Sequence, residues 1–490
     1  MPRPWPVALP REPGALARFW GERHQPISTV VLVACLTVGV AGGWLLVGHR
    51  LGLGAAVVGV LVWAAAVPAL VRRRAVGDLI TAALSVALLA VVAFRDAGWV
   101  VGLCVATAAG AGAVAATASR SVPAVLMSGL SWAAGVVRAI PWFARGLATR
   151  VGTRRGKVLA ALRSVAVTVV LLVVFGVLLA SADRVFASFL PRVRLDLLPA
   201  QVVVGLLVAL AAATLAQLAL VPPGWSRLGV SPGRPARRGE WALPVLALDV
   251  MVLGFVLVQV SALLGGHRHV LETAGLTYAE YARSGFAQLV VVTVLTLLVV
   301  AVAARHAPRE SARDRLLSRV ALGVLCVATL GVVASALRRM DLYVEAFGLT
   351  RMRLFVTVFE VVLGVVLVLV LLAGVRWRGA WLPRAVVAVA AVAVLTLAAA
   401  NPDALIVRHN TTADLDVEMD LHYLQGLSAD AVPAMDELAE PERSCLLQVF
   451  DLEPARGAAD WNLSREQALR TLASWAPVDS PCAAYYAENG

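Results

Sequence analysis

Two carboxylic acids stand in apolar surroundings where a charge is costly. Asp249 follows Pro244 by five residues, and Glu360 lies two turns into a separate apolar run. Acids at such depth often mark a proton or ion path, and a pair from neighbouring helices would bind a cation or relay a proton. At 1.5 Å per residue, Asp249 falls about 10 Å from one edge of its run and Glu360 about 9 Å from the opposite edge of its own. The spacing therefore leaves open whether they meet. The plainer reading is a neutral acid bonded to nearby backbone.

A larger polar set sits in four short segments. The segment 181–186 carries Asp183 and Arg184, and 275–286 carries Tyr278, Glu280, Tyr281 and Arg283. The segment 338–353 carries Arg338, Arg339, Asp341, Tyr343, Glu345, Arg351 and Arg353, and 401–410 carries Asn401, Asp403 and Arg408. Arginines in this density can act as bidentate donors to an anionic ligand or a lipid headgroup. The preferred reading is structural: tyrosines and arginines anchor at headgroup level and pair with the local acids.

Other chemistry is weakly supported. His267 and His269 alternate in a loop, and Glu418 and His422 are four apart, but neither pair forms a metal site of known spacing. Neither a Walker loop nor a nucleophile elbow nor a dinucleotide fingerprint occurs, so catalytic residues, metal and cofactor are all expected to be absent. Cys35, Cys104 and Cys326 lie in apolar runs as packing residues, whereas Cys445 and Cys482 share the C-terminal region and could form a disulfide.

The elements that position these residues are apolar helices. Hydrophobic residues make up 60% of the chain and the mean hydropathy is +0.81, too apolar for a soluble protein of 490 residues. Eleven runs are long enough to cross a ~30 Å hydrocarbon core. They cover 28–48, 51–71, 77–94, 98–117, 160–181, 200–221, 242–264, 285–304, 316–336, 354–374 and 381–400. The fold expected is an all-α polytopic bundle with a cytoplasmic segment 1–27 and four spans over 28–117. A basic loop over 118–159 follows, then seven spans over 160–400 and a helical domain over 401–490. The first helix is read as uncleaved, since no small-residue cleavage site follows it convincingly.

Charge sets the expected orientation. Residues 401–490 hold 16 acids and 5 arginines, a net of −11, so the chain total of +12 leaves +23 for the remainder. Arginines concentrate in alternate gaps: Arg72, Arg73 and Arg74; Arg227 to Arg238; Arg305 to Arg319; Arg376, Arg378 and Arg384. This places the N-terminus in the cytoplasm and the acidic domain outside. The gap holding Arg338, Arg339, Arg351 and Arg353 dissents. The basic charge points to anionic lipid headgroups at the cytoplasmic face and not to nucleic acid.

The parity hangs on residues 121–150. Trp132, Val136, Ile140, Phe143 and Leu147 form a helical stripe, Arg138 and Arg145 lie off it, and Pro141 interrupts it. An amphipathic helix on the inner surface is expected there, against a twelfth span as the alternative. In the fourth span, Gly102-Ala106-Gly110 and Ala108-Gly112-Ala116 repeat at four-residue spacing, which suits close helix approach. In the acidic region, Ser428 with Asp430 and Ser464 with Gln467 read as helix starts, and Asp414 or Asp416 as the start of another.

The four polar segments, with Tyr423-Leu424 and Leu427-Ser428-Ala429-Asp430-Ala431-Val432-Pro433, resemble a bacterial multi-pass membrane family of unknown function, the DUF 4153/4173 type. The resemblance covers about residues 160–440. It implies a plasma-membrane location and a helical fold, and brings no reaction or substrate. Three functions fit the residues. A scaffold or sensor-like envelope protein, with an unidentified protein partner, needs no catalytic constellation and is preferred. An ion-coupled transporter would use Asp249 and Glu360. A lipid-linked envelope enzyme is disfavoured, because the first outer gap holds little beyond His49 and Arg50.

Overall fold

The computed structural model describes residues 26–153, 195–224, 238–264, 286–307, 311–376, 379–413, 415, 419–476 and 482, with scattered helical positions between 156 and 181. Asp183, Arg184, Tyr278, Glu280, Tyr281 and Arg283 lie outside these residues, as do Asp414 and Asp416. Among the described residues there are helices and no strand, as apolar chain in hydrocarbon requires when every backbone group must be bonded internally.

The bundle helices are α1 (Thr29–Leu46), α2 (Leu53–Ala64), α3 (Val67–Arg73), α4 (Val76–Ala90), α5 (Gly98–Thr117) and α6 (Val122–Thr153). They continue as α7 (Leu198–Leu220), α8 (Arg238–Leu264), α9 (Phe286–His306), α10 (Ala312–Phe347), α11 (Arg351–Arg376) and α12 (Leu382–Ala399). Ten described helices are long and apolar enough to cross a membrane. The pair α2 and α3 joins them as an eleventh, bent by 47°. The bend falls where Pro68 removes a backbone donor at the start of α3.

Contacts sort the helix ends into two sets. At one end lie Ile27, Arg73, Asp78, Ser119, Leu218 and Arg384. Arg73 donates to Ala116 O at 2.9 Å and Leu218 O at 3.0 Å, closing the C-termini of α5 and α7 with one guanidinium. Arg384 donates to Ser119 O at 2.8 Å and pairs with buried Asp78. This is the basic end. The other end gathers the loops after α1, α4 and α10 and the C-terminus of α12, and the C-terminal domain sits on it. Helices α1 and α7 run antiparallel and very close. A Cβ on Gly43 would stand 2.3 Å from Gln201 O, and one on Gly39 would stand 2.7 Å from Gly205 O.

Helix α6 meets the length and apolarity of a span, yet it does not traverse the bundle. Near its start Ser119 Oγ donates to Ala124 O at 3.1 Å. In its middle Arg138 O accepts from Gln217 at 3.3 Å, and near its end Arg150 donates to Ile27 O at 2.6 Å. Residues 124 and 150 are about 39 Å apart along a helix, but all three partners belong to the basic end. Helix α6 therefore lies across that end. Leu197, just before α7, touches Gly48 at the opposite end. The end of α6 and the start of α7 therefore stand at opposite ends of the bundle, and the expected span 160–181 falls in the interval between them. Its described residues, including Val167, Leu171, Val174 and Leu178, are helical and exposed.

The two small-residue stripes of α5 differ. Ala108 and Ala116 are buried, and a Cβ on Gly112 would meet Trp63 at 3.2 Å. Gly102 and Gly110 have nothing within 4 Å of an added Cβ. Of the two stripes, the second packs in the bundle and the first lies open.

Helices α8, α9 and α11 surround the long α10, with Val252, Leu289, Leu325, Val332 and Leu367 in their shared core. The C-terminal domain has its own core, including Ile406, Leu424, Met435, Leu446 and Ala468. It comprises α13 (Pro402–Thr412), α14 (Leu421–Gln425), α15 (Val432–Met435), α16 (Glu442–Leu447) and α17 (Leu463–Ser474). Its helix starts partly depart from expectation. Asp420 caps α14. Asn462, not Ser464, caps α17 by accepting from Arg465 N at 3.1 Å. Ser464 instead lies inside α17 and donates to Phe94 O at 2.8 Å, a bond to the bundle.

Candidate functional site

Three buried carboxylates of the C-terminal region fasten it to the bundle. The chain leaves α12 through Asn401, whose φ of 53° lies in the left-handed region and whose side chain caps α13. That turn directs Asp403 into the interface, where it is fully buried. Arg351, at the first residue of α11, grips it in bidentate fashion, with Nε at 3.0 Å and NH2 at 2.6 Å. Trp99 Nε1 donates to the same carboxylate at 3.1 Å, Ser428 N at 3.0 Å and Ser428 Oγ at 2.8 Å. Burial alone would raise the carboxyl above its ordinary range. The hydrogen bonds from Arg351 and Ser428, with the charge of Arg351, outweigh burial and hold it below that range.

Asp430 is 1% exposed and closes the N-terminus of α5. It accepts from Asp96 N at 3.1 Å and Ala97 N at 2.7 Å, where free N–H groups and the helix dipole favour an anion. Asn401 Nδ2 donates to Asp430 O at 3.0 Å, linking the two carboxylate sites. Asp460 forms the third site, accepting from His49 Nδ1 at 3.0 Å and Arg50 N at 2.9 Å. Burial would raise its carboxyl, but the bonds from Arg50 and His49 leave it lowered. Around it, Arg465 donates to Asp96 at 2.8 Å and to Leu51 O at 2.8 Å, and Asn462 donates to Val92 O and Arg95 O, both at 3.0 Å.

The remaining polar residues of this end are also engaged. Arg353 closes the C-terminus of α10, donating to Phe347 O at 2.8 Å and stacking 4.2 Å over the Tyr343 ring. Gly348 has a φ of +76°, and a Cβ there would stand 2.8 Å from Asn410 Oδ1. Glycine is thus needed where Asn410 bonds both the N–H and C=O of Leu349, at 2.6 and 3.0 Å. Arg338 pairs with Asp341 at 2.7 Å and Glu345 at 3.9 Å on its own helix, and Arg408 pairs with Glu437 at 2.8 Å. These last pairs are exposed and contribute little. Arg339 donates to Gln259 at 3.4 Å. Cys445 and Cys482 are joined by a disulfide within the domain.

The intramembrane acids stand apart from this interface and from each other. Asp249 is 4% exposed, and its Oδ1 has no hydrogen-bond partner among the described residues. Glu360 is fully buried, and neither oxygen has a hydrogen-bond partner among the described residues. Thr293 lies beside Glu360 but donates to Leu289 O at 3.0 Å. Gly331 of α10 packs on Val256 of α8, and Gly364 of α11 packs on Val333. Asp249 is thereby about level with residue 324 and Glu360 with residue 337, roughly 20 Å apart along α10. The structure does not bring them together.

Sequence reasoning missed Asp430, Asp460, Trp99, Asp96 and Arg465 as interface residues, and Asp78 at the basic end. Ser428-Ala429-Asp430 drew attention as a helix start and as part of the family-like motif, not as an interface. Asp460 lay among acids with no distinguishing pattern.

These features define a polytopic helical membrane protein that carries its own docked helical domain. Residues 83–438 match the family described as Domain of unknown function (DUF4153), and the chain belongs to that family. The match begins within α4, well before the polar segments, and ends just beyond α15. No curated protein and no solved structure matches the chain.

Proposed function

We propose that the protein is a scaffold or sensor-like component of the bacterial plasma membrane, with its N-terminus cytoplasmic and its C-terminal domain outside. The observation that carries this reading is the use of charge at the domain end. Asp403, Asp430 and Asp460 are buried and spend their hydrogen-bonding capacity on fixing the domain to the bundle. Such an interface holds a rigid platform for a protein partner. The arginines gathered at the opposite end, including Arg72, Arg74, Arg313 and Arg376, support a cytoplasmic placement for that end.

Glu360 favours a second reading, an ion-coupled transporter, because a buried and unpartnered carboxyl in a spanning helix is a common ion-path residue. Complementation of a deletion strain separates the two. The scaffold reading expects D249N and E360Q to restore envelope integrity and D403N to fail. Restoration by D403N together with failure of E360Q would replace it with the transporter.

A further inference from the structure

Helices α9 and α11 both pack on α10, but not evenly along its length. Towards the domain end they converge, with Thr293 of α9 beside Glu360 of α11. Towards the basic end they part and leave a cleft of about 630 Å³ over α10. That volume is within the range that holds a small organic molecule. Its walls are apolar, with Val300 from α9, Leu322 and Cys326 from α10, and Val370 and Leu371 from α11.

Glycine makes the space. A Cβ on Gly323 or Gly374, both on the cleft wall, would meet nothing within 4 Å. The lining includes one charged residue, Arg319, and no described acid. Arg319 is exposed and makes no ion pair or hydrogen bond with any described residue. It sits seven residues short of Cys326, so the cleft runs about 10 Å inwards from the guanidinium along α10. Arg313 and Arg376, also exposed, add positive charge at the same end.

We propose that this cleft is a binding site for an anionic phospholipid. One acyl chain lies between α9 and α11 over α10, and the phosphate rests on Arg319. An apolar slot with a single cation at its mouth matches the two parts of such a lipid. The slot holds the chain by burial, and the guanidinium offers paired donors to phosphate oxygens. A zwitterionic lipid would bring an ammonium group towards a mouth whose lining holds Arg319 and no described acid, so anionic headgroups are preferred.

Native mass spectrometry of the purified full chain tests this with phosphatidylglycerol and phosphatidylethanolamine in equal amounts. The expected result is one retained phosphatidylglycerol, preferred about tenfold, a ratio typical of one charge-assisted contact. R319Q should bring that preference to near unity. G323L and G374L should expel the lipid, and both replace glycine within a helix by a better helix former, so folding should be preserved. Photo-crosslinking of wild type with an acyl-diazirine phosphatidylglycerol gives a readout that needs no variant. Labelling should concentrate on peptides holding Leu322 and Val370. Equal retention of both lipids, retention unaffected by R319Q or by the glycine replacements, or labelling spread evenly over the exposed helices would overturn the proposal.

Discussion

Replacing Asp403 by Asn should release the C-terminal domain from the bundle. The substitution keeps the shape and removes the charge and one acceptor atom. Asp403 accepts from Arg351 Nε and Trp99 Nε1 on Oδ1, and from Arg351 NH2, Ser428 N and Ser428 Oγ on Oδ2. An asparagine that keeps its oxygen towards Ser428 turns an NH2 group towards two donors. Each buried group left unsatisfied costs about 1–3 kcal/mol, and breaking a buried ion pair costs about 3–5 kcal/mol. Arg351 is 33% exposed and regains some hydration, so the lower end, about 3 kcal/mol, applies. That is roughly a hundredfold shift in the ratio of docked to undocked domain. Hydrogen exchange of Leu421–Met435 in lipid nanodiscs should accelerate by a similar factor, because exchange tracks the open population. R351Q should also destabilise, by leaving a buried carboxylate uncompensated. The double variant should cost less than the sum of the two, since the residues share one contact. Unchanged exchange in D403N, or strict additivity in the double variant, would refute the reasoning.

Further outcomes follow from the same structure. Asp403 and Asp460 are both lowered on docking. Their contribution should be complete above the ordinary aspartate value of about 3.9 and lost as pH falls through the lower docked values. The emission of Trp461, which bonds Leu53 N through its carbonyl, would report this as a red shift confined to strongly acidic buffer. Gly43→Ala places a Cβ 2.3 Å from Gln201 O, a backbone atom that cannot turn aside, so thermal stability should fall by about 1–3 kcal/mol. Gly102→Ala, with nothing within 4 Å, should leave it unchanged or slightly raised. Reducing the Cys445–Cys482 disulfide, whose partners are 37 residues apart, should cost the domain about 3–4 kcal/mol, readable as a lower melting temperature in reductant.

The spanning architecture was readable from sequence because apolar runs of span length have few other uses. The stripe Trp132 to Leu147 did not mark the packed face of α6: Ile140 and Leu147 are exposed, and the helix packs through small residues, Ser128, Ser131, Gly135, Ala139 and Gly146. The dissenting arginines are explained locally: Arg351 meets Asp403, Arg353 closes α10, and Arg338 meets Asp341. Their clustering was visible, but their separate partners were not. The docking interface was hidden for a physical reason. Asp430 and Asp460 bind backbone N–H groups of Ala97 and Arg50, more than 300 residues away, and backbone donors leave no mark on residue type. The capping site of α17 was misplaced by two residues because Asn462 and Ser464 are both good caps, and their bonds to the distant carbonyls of Val92, Arg95 and Phe94 leave no mark in the sequence. The open stripe on α5 shows the same limit: small residues at four-residue spacing permit close packing without requiring it.

Helix α6 lies across the basic end of the bundle and the C-terminal domain sits on the other end, so the proposed orientation puts them on opposite sides of the membrane. Paired topology reporters, fused after Ser119, after Thr153 and after Gly490, test it most directly. Cytoplasmic activity is expected at the first two sites and extracytoplasmic activity at the third. Opposite sides for Ser119 and Thr153, or the same side for Thr153 and Gly490, would contradict it.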